Sequence, residues 1–559
     1  MKKSTRGSRS SANSHTSTKP APQFALRQET LLAAMAAMLL SLLSLAYCFP
    51  RGMLLLYGDA VAHLHIARRL TDSINPGFRQ LGSVWLPLPH LLLAPFVRNM
   101  AWWQTGLAGT WPSMISYIIA VAALYRLARL WLKPLGASIA ATFLALNPGL
   151  LYMQTTAMTE PLFLAEMLVS ALLTAECVQA LKRGEERKSS RLMVAAALVL
   201  VAAVFTRYDG WIFAACAWLV IAIAMIRGGH LRQRPGGAFV LLTALLLTAP
   251  LCWLAYNAKQ FGDPLDFMRG PYSAKAIEAR TATPGAPHYP GWHSMGVAGL
   301  YFLKAAELGA VIGRLANLLF LVAIAGTAVA VKQARGRGLG VLLLLWMPLP
   351  FYAYSVAYGA VPIFIPLWWP HSWYNTRYGM EMLPAFALFT GFAATAAIDF
   401  IRQRKPELAQ WSAATLMLLL AANSYALMRA RPLVLAEAVA NSRTRIPFEE
   451  ALANALISLP VEGRILMFTS DHVGALQRAG LPLRRTINDT DYYEWGPALK
   501  NPAAAAPFAV AMDGDPLAKA IAAHPAGLTL IDVVCSTGQP CARIYRSEIY
   551  GAGGSISTK

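Results

Sequence analysis

Long runs without an ionisable side chain constrain this sequence more than any other feature. From Gly236 to Ala258 there is no charge until Lys259 ends the run. About 20 apolar residues in helical form cross a bilayer, because a helix satisfies its own backbone hydrogen bonds where no water is present. Runs of this kind recur eleven times, at about 30–48, 112–131, 135–153, 159–180, 191–206, 210–227, 237–256, 308–330, 339–358, 378–400 and 410–428. Only 14% of the 559 residues are charged and 56% are hydrophobic, whereas soluble proteins carry roughly 25% charge. The sequence predicts a polytopic α-helical membrane protein with about eleven transmembrane helices.

A net charge of +21 raises the question of nucleic acid, and its distribution answers it. Between Arg431 and Lys559 there are 12 basic and 12 acidic residues, so the excess lies among the apolar runs. Basic clusters fall on alternate loops: the N-terminal tail; Arg126, Arg129 and Lys133; Lys182, Arg183, Arg187, Lys188 and Arg191; Arg227, Arg232 and Arg234; Lys332, Arg335 and Arg337; Arg402, Arg404 and Lys405. Lys and Arg mark cytoplasmic loops, and all six clusters can face the cytoplasm together. This predicts a disordered cytosolic tail over 1–29, a transmembrane region over 30–430 and a periplasmic domain over 431–559, in a bacterial inner membrane and without a nucleic-acid partner.

After Arg431 the pattern changes. Arg464–Phe468 and Phe508–Met512 read as strands, Asp471–Ala479 and Asp515–Ala523 as helices, and Thr529–Val534 pairs with Ala542–Tyr545, which predicts a small α/β domain. Cys535 and Cys541 are close enough for a disulfide, which suits an oxidising compartment. A zinc pair is the alternative. The other cysteines, Cys48, Cys177, Cys216 and Cys252, lie in or beside spans as apolar packers.

The outer loops carry the polar residues. Leu56-Tyr57-Gly58-Asp59 follows the first span, and a helix over 59–73 would put Asp59 and His63 on one face, lying along the membrane surface by its apolar positions. Solvated loop acids on an interfacial helix are the plain alternative. In Thr159-Glu160-Pro161-Leu162-Phe163, Glu160 starts a span, where a carboxylate also suits the helix dipole. In Arg207-Tyr208-Asp209-Gly210-Trp211, Arg207 is a candidate phosphate ligand that Asp209 could simply pair with. In His371-Ser372-Trp373-Tyr374-Asn375-Thr376-Arg377-Tyr378, Arg377 opens a span; its planar fork suits phosphate oxygens, although a snorkelling anchor is the ordinary use. The stretch Asn257–Leu300 is predicted as an extended loop that could cover an acceptor site.

The order of these segments resembles the GT-C superfamily of membrane glycosyltransferases, most nearly the bacterial protein O-mannosyltransferase and aminoarabinose transferase group. The resemblance rests on Tyr57-Gly58-Asp59, on Thr159 to Phe163, on Arg207 to Trp211, and on Arg377-Tyr378 followed by Pro384, over roughly residues 30–430. It implies a sugar donor on a polyprenyl phosphate, a protein, lipid or glycan acceptor, and transfer with inversion at the outer face. Asp59 and Glu160 become the expected catalytic acids, and His63, Arg207, Tyr208, His371, Tyr374, Arg377 and Tyr378 the expected substrate-binding residues. Ala60 stands where many protein mannosyltransferases carry a second acid, so Glu160 is assigned that place. Some relatives use a divalent metal, for which Asp59, His63 and Glu160 are the candidate ligands. No dedicated metal motif is present, and no metal is assigned. A transporter or lipid flippase with a periplasmic sensor domain is the competing class. It would more often show repeated halves or charges buried in mid-span.

Overall fold

The structure, a computed structural model, describes residues 23–282, 285–334, 338–460, 463–470 and 472–550. Residues 1–22 of the expected 1–29 tail, with Arg335, Arg337 and Asp471, lie outside the described residues, and residues 23–29 open the Gln23–Cys48 helix.

Among the described residues, ten helices are long and apolar enough to cross a membrane. They match ten of the eleven predicted spans. The third differs: 135–153 is two short helices, Pro134–Ala145 and Pro148–Met153. Proline at 148 has no N–H for a helix interior, and Asn147 accepts from the Leu150 N–H (2.9 Å), starting a new helix where the old one stops. The break stays inside protein: the Asn147 side chain donates to the Gly309 carbonyl, and Gln154, Thr155 and Thr156 are all fully buried. Non-helical backbone is tolerated at such depth only when protein covers it.

Small residues let the helices close. In Leu107–Ala128, a Cβ added to Gly109 would lie 2.4 Å from the Ala157 Cβ, so glycine alone permits the contact with the 154–158 turn. The Pro348–Tyr358 and Met295–Ala310 helices pack beside each other with Phe302 stacked on Tyr352 (4.6 Å).

The segment after the first span is not an interfacial helix. Gly58–Arg69 is a buried helix, with His63, His65 and Arg68 all inside. The C-terminal segment covers it: the Leu483 N–H donates to Asp72, which also holds Arg68 (2.7 Å). Its apolar face meets protein where the sequence pattern allowed lipid. Asn257–Leu300 likewise holds short helices at Asp266–Arg269 and Ala274–Thr281, and Phe267 stacks on Tyr208 (4.9 Å).

The C-terminal region carries a five-stranded sheet in the order β2-β1-β3-β5-β4: β1 Ile465–Met467, β2 Thr486–Ile487, β3 Phe508–Met512, β4 Leu528–Val534 and β5 Ala542–Ser547. Strand β1 runs parallel to β2 and β3, while β5 runs antiparallel to β3 and β4, with Val510 opposite Ile544. The central β1 and β3 are buried throughout. The predicted strands are present, and β2 is added. Cys535 and Cys541 form a disulfide in the turn before β5. A long helix, Leu433–Ile457, joins the last apolar helix, Pro406–Arg429, to this sheet.

Candidate active site

Six separated sequence segments meet at two guanidinium groups. Arg377 sits in the short 3₁₀ turn Thr376–Met382, ahead of the Leu383–Arg404 helix. Gly379 brings that turn close to the Met295–Ala310 helix, since a Cβ there would lie 2.6 Å from the Ala306 nitrogen. Arg377 Nη2 donates to Asp59 Oδ2 at 2.6 Å, Nε lies 3.2 Å from Glu160 Oε1, and Nη1 lies 3.4 Å from Glu437 Oε1. Its guanidinium is therefore oriented on three sides.

Arg207 follows the end of the Glu186–Thr206 helix in extended conformation. It reaches Glu160 Oε1 (3.3 Å), Asp209 Oδ2 (3.2 Å) and Glu381 Oε1 (3.0 Å), and donates to Thr159 Oγ1 (2.9 Å) and the Tyr352 hydroxyl (2.7 Å). The same hydroxyl lies 3.0 Å from Asp209 and 2.8 Å from Glu381. Glu160 Oε1 thus bridges both arginines. The Tyr378 ring serves both as well, 4.8 Å from the Arg377 guanidinium carbon and 5.1 Å from that of Arg207. Cation–π contact of this kind favours a partly desolvated guanidinium.

The balance of charge matters. Two guanidiniums face five carboxylates: Asp59, Glu160, Asp209, Glu381 and Glu437. Four of those five have side chains no more than 1% exposed, whereas Asp59 is 40% exposed. Sharing the two cations offsets part of the cost of burying so many acids, and hydrogen bonds to Asp209, Glu381 and Glu437 offset more. Asp59 is the carboxylate of the cluster that is open to an incoming molecule.

The other expected residues lie around this cluster in different states. His63, one turn after Asp59, is buried with Nδ1 2.9 Å from His90 Nε2 and its ring 4.5 Å from Trp85. Burial, and then the Arg377 and Arg207 charges, push its pKa down to about 3, so it is a neutral imidazole near the arginines. The Tyr208 hydroxyl donates to the Val84 carbonyl (2.9 Å) and accepts from Trp253 (3.2 Å). Tyr374 is 42% exposed and pairs by backbone with Phe364. His371 is exposed, with Nδ1 3.2 Å from the Pro366 carbonyl. Thus Asp59, Glu160, Arg207, Arg377 and Tyr378 are brought together, Tyr374 lies near enough to interact electrostatically with Asp59, Arg377 and Glu437, and Tyr208 and His371 are engaged elsewhere. Among the described residues no three His, Cys, Asp or Glu side chains are gathered as a metal site.

Tyr352 and Glu437 were not singled out from sequence. Tyr352 sits inside an apolar run, and Glu437 lies beyond the last predicted span, 410–428. Glu381 was within reach of sequence reasoning, four residues after Arg377 at the start of a predicted span.

No protein-family model matches the chain, and no curated protein sequence matches it. Solved structures do. ArnT from Cupriavidus metallidurans, bound to undecaprenyl phosphate, aligns over 94% of this chain and 99% of its own, with 14% identity and a TM-score of 0.55. The apo form of the same protein aligns over 93% and 98%, at 14% identity and a TM-score of 0.54. The alignment takes in nearly the whole of both chains, so the likeness reaches across helices and sheet alike, and the chain shares the fold of that structure.

Proposed function

We propose that this protein is an inverting glycosyltransferase that moves a sugar from a polyprenyl-phosphate donor to an acceptor hydroxyl. The observation that carries the reading is the contact between Asp59 and Arg377: a half-exposed carboxylate 2.6 Å from a buried guanidinium. A base and an anion-binding cation in contact, beside apolar helices, suit a reaction that removes a proton at one atom and releases a phosphate next to it.

In this reading Asp59 takes the proton of the acceptor hydroxyl as its oxygen bonds to the anomeric carbon from the face opposite the phosphate. The bond between that carbon and the phosphate oxygen breaks, its electron pair leaves on the polyprenyl phosphate, and the configuration inverts. The phosphate is already a competent leaving group, so the developing negative charge needs stabilisation more than protonation. Arg377 supplies it, with Arg207 behind, fixed before the reaction by Glu160 and Tyr378. Holding both cations in advance avoids reorganisation at the moment of transfer. A lipid-borne donor also explains why polar chemistry is mounted at the ends of apolar helices, and ArnT, of the same fold, was solved with undecaprenyl phosphate bound. The reading places the protein in a bacterial inner membrane, with the site and the 431–559 region on the periplasmic side.

The test is direct. Purified protein, a radiolabelled polyprenyl-phosphate sugar and a membrane extract are expected to give a labelled acceptor and free polyprenyl phosphate. A folded protein that leaves every such donor intact would remove the proposal.

A further inference from the structure

The Leu433–Ile457 helix begins past the last apolar helix, where charge is balanced and the composition is that of a soluble segment. Its first turns nevertheless enter the site. Glu437 is fully buried. Its Oε1 accepts from the Asn375 N–H (2.9 Å), and its Oε2 accepts from the Thr376 N–H (2.9 Å) and from the Thr376 hydroxyl. With the 3.4 Å approach to Arg377 Nη1, one carboxylate fixes three consecutive residues of the arginine turn. Asn375 has φ of 54°, a left-handed conformation that persists only where surroundings hold it.

The same helix holds the opposite side. The Tyr57 hydroxyl donates to the Val434 carbonyl at 2.7 Å. Arg445 Nη2 donates to the carbonyls of Leu55 (2.8 Å) and Leu56 (3.0 Å), the residues that lead into Asp59, while Glu449 neutralises it through Nη1 (2.8 Å). Val434 and Arg445, eleven residues apart, project from nearly one face at 3.6 residues per turn. Both halves of the Asp59–Arg377 pair are therefore pinned to one helix.

Resting on the proposed transfer reaction, we infer that Glu437 is a positioning residue: it presents Arg377 to Asp59 and the leaving phosphate, and the Leu433–Ile457 helix sets the spacing of the pair. It touches no reacting atom and acts through Arg377. A purely structural acid would affect stability alone.

The test uses the full chain in detergent or nanodiscs, with Glu437→Gln, which keeps size but replaces one accepting oxygen by a donor. Hydrogen exchange is expected to rise at 375–378 and to a smaller degree at 57–60. With the labelled polyprenyl-phosphate sugar, kcat is expected to fall roughly 10- to 100-fold, the scale of a misplaced catalytic group, with the acceptor KM little changed. In an Arg377→Ala background the same substitution should cost almost nothing more, because both act through one group. A folded Glu437→Gln protein with wild-type kcat, or one whose effect multiplies fully with Arg377→Ala, overturns the inference. If wild-type protein transfers no sugar, the proposed function fails by itself. Hydrogen exchange then decides the positioning claim, and unchanged exchange at 375–378 overturns it.

Discussion

Asp59→Asn separates the chemistry of the site from its stability, because the two costs differ in size. The Asp59 side chain is 40% exposed, and its ion pair with Arg377 is one of three that the guanidinium makes. Losing such a partly exposed pair costs about 0–1 kcal/mol. Removing a carboxylate from the first turn of Gly58–Arg69 costs about 0.3–1 kcal/mol more at the helix N-terminus. The amide keeps the shape, and Glu160 and Glu437 still hold Arg377, so the variant should fold with a melting temperature only a few degrees lower. Removing a general base costs about 10²- to 10⁴-fold in rate, or about 3–5 kcal/mol of transition-state stabilisation. Steady-state transfer from a radiolabelled polyprenyl-phosphate sugar, normalised to folded protein by thermal melting, reads both quantities on one sample. The expected result is a loss in kcat of that size with donor affinity close to wild type. A folded Asp59→Asn protein that transfers as fast as wild type refutes the base assignment and the pairing argument behind it.

Arg377→Ala should weaken polyprenyl-phosphate binding more than acceptor binding, and Arg377→Lys should restore only part of the loss, because one ammonium cannot replace a fork oriented by three acids; equal donor affinity in wild type and Arg377→Ala would count against this role. With a folded-state pKa near 3 against an ordinary 6.5, the unfolded chain takes up a proton at His63 that the fold refuses. Stability should therefore be unaffected by this group above pH 6.5 and fall by about 1.4 kcal/mol per pH unit as the pH drops below it toward 3. Melting temperatures across that window should fall less steeply for His63→Gln, and parallel curves would contradict the assignment. In freshly isolated membranes, Cys535 and Cys541 should resist a thiol-reactive label until a reductant is added; labelling of both beforehand would argue against the bond in the cell.

The helices were legible in the sequence because each depends on a run of one composition. The third span departs from the sequence expectation in the same terms: Asn147-Pro148 is a cap followed by a helix-starting proline, and hydropathy averaged over a window passes across it. The helix at Asp59 was found, but its surroundings were not. Periodicity reports that a face is apolar without saying whether lipid or protein covers it, and here Leu483 and its neighbours do. Strand β2, two residues long, is too short to alternate. Within the site, Asp59, Glu160, Arg207 and Arg377 stood out as charges at the ends of apolar runs. Glu437 did not, because an acid in a balanced, helical segment looks like any solvated one. Its partners, Asn375 to Arg377, lie some sixty residues away, and only the fold joins them.

The Leu433–Ile457 helix also bears on how such a protein is made. A chain leaves the ribosome from its N-terminus at roughly 5–20 residues per second. Among the described residues, the last helix with a membrane-length apolar run is Pro406–Arg429, so the apolar helices are made before Glu437 and Arg445 are free to reach their partners. The helix bearing Asp59 and the turn bearing Arg377 must wait for the last quarter of the sequence. Joining the bilayer and acquiring a finished site are thus separate events in time, and the second follows the first.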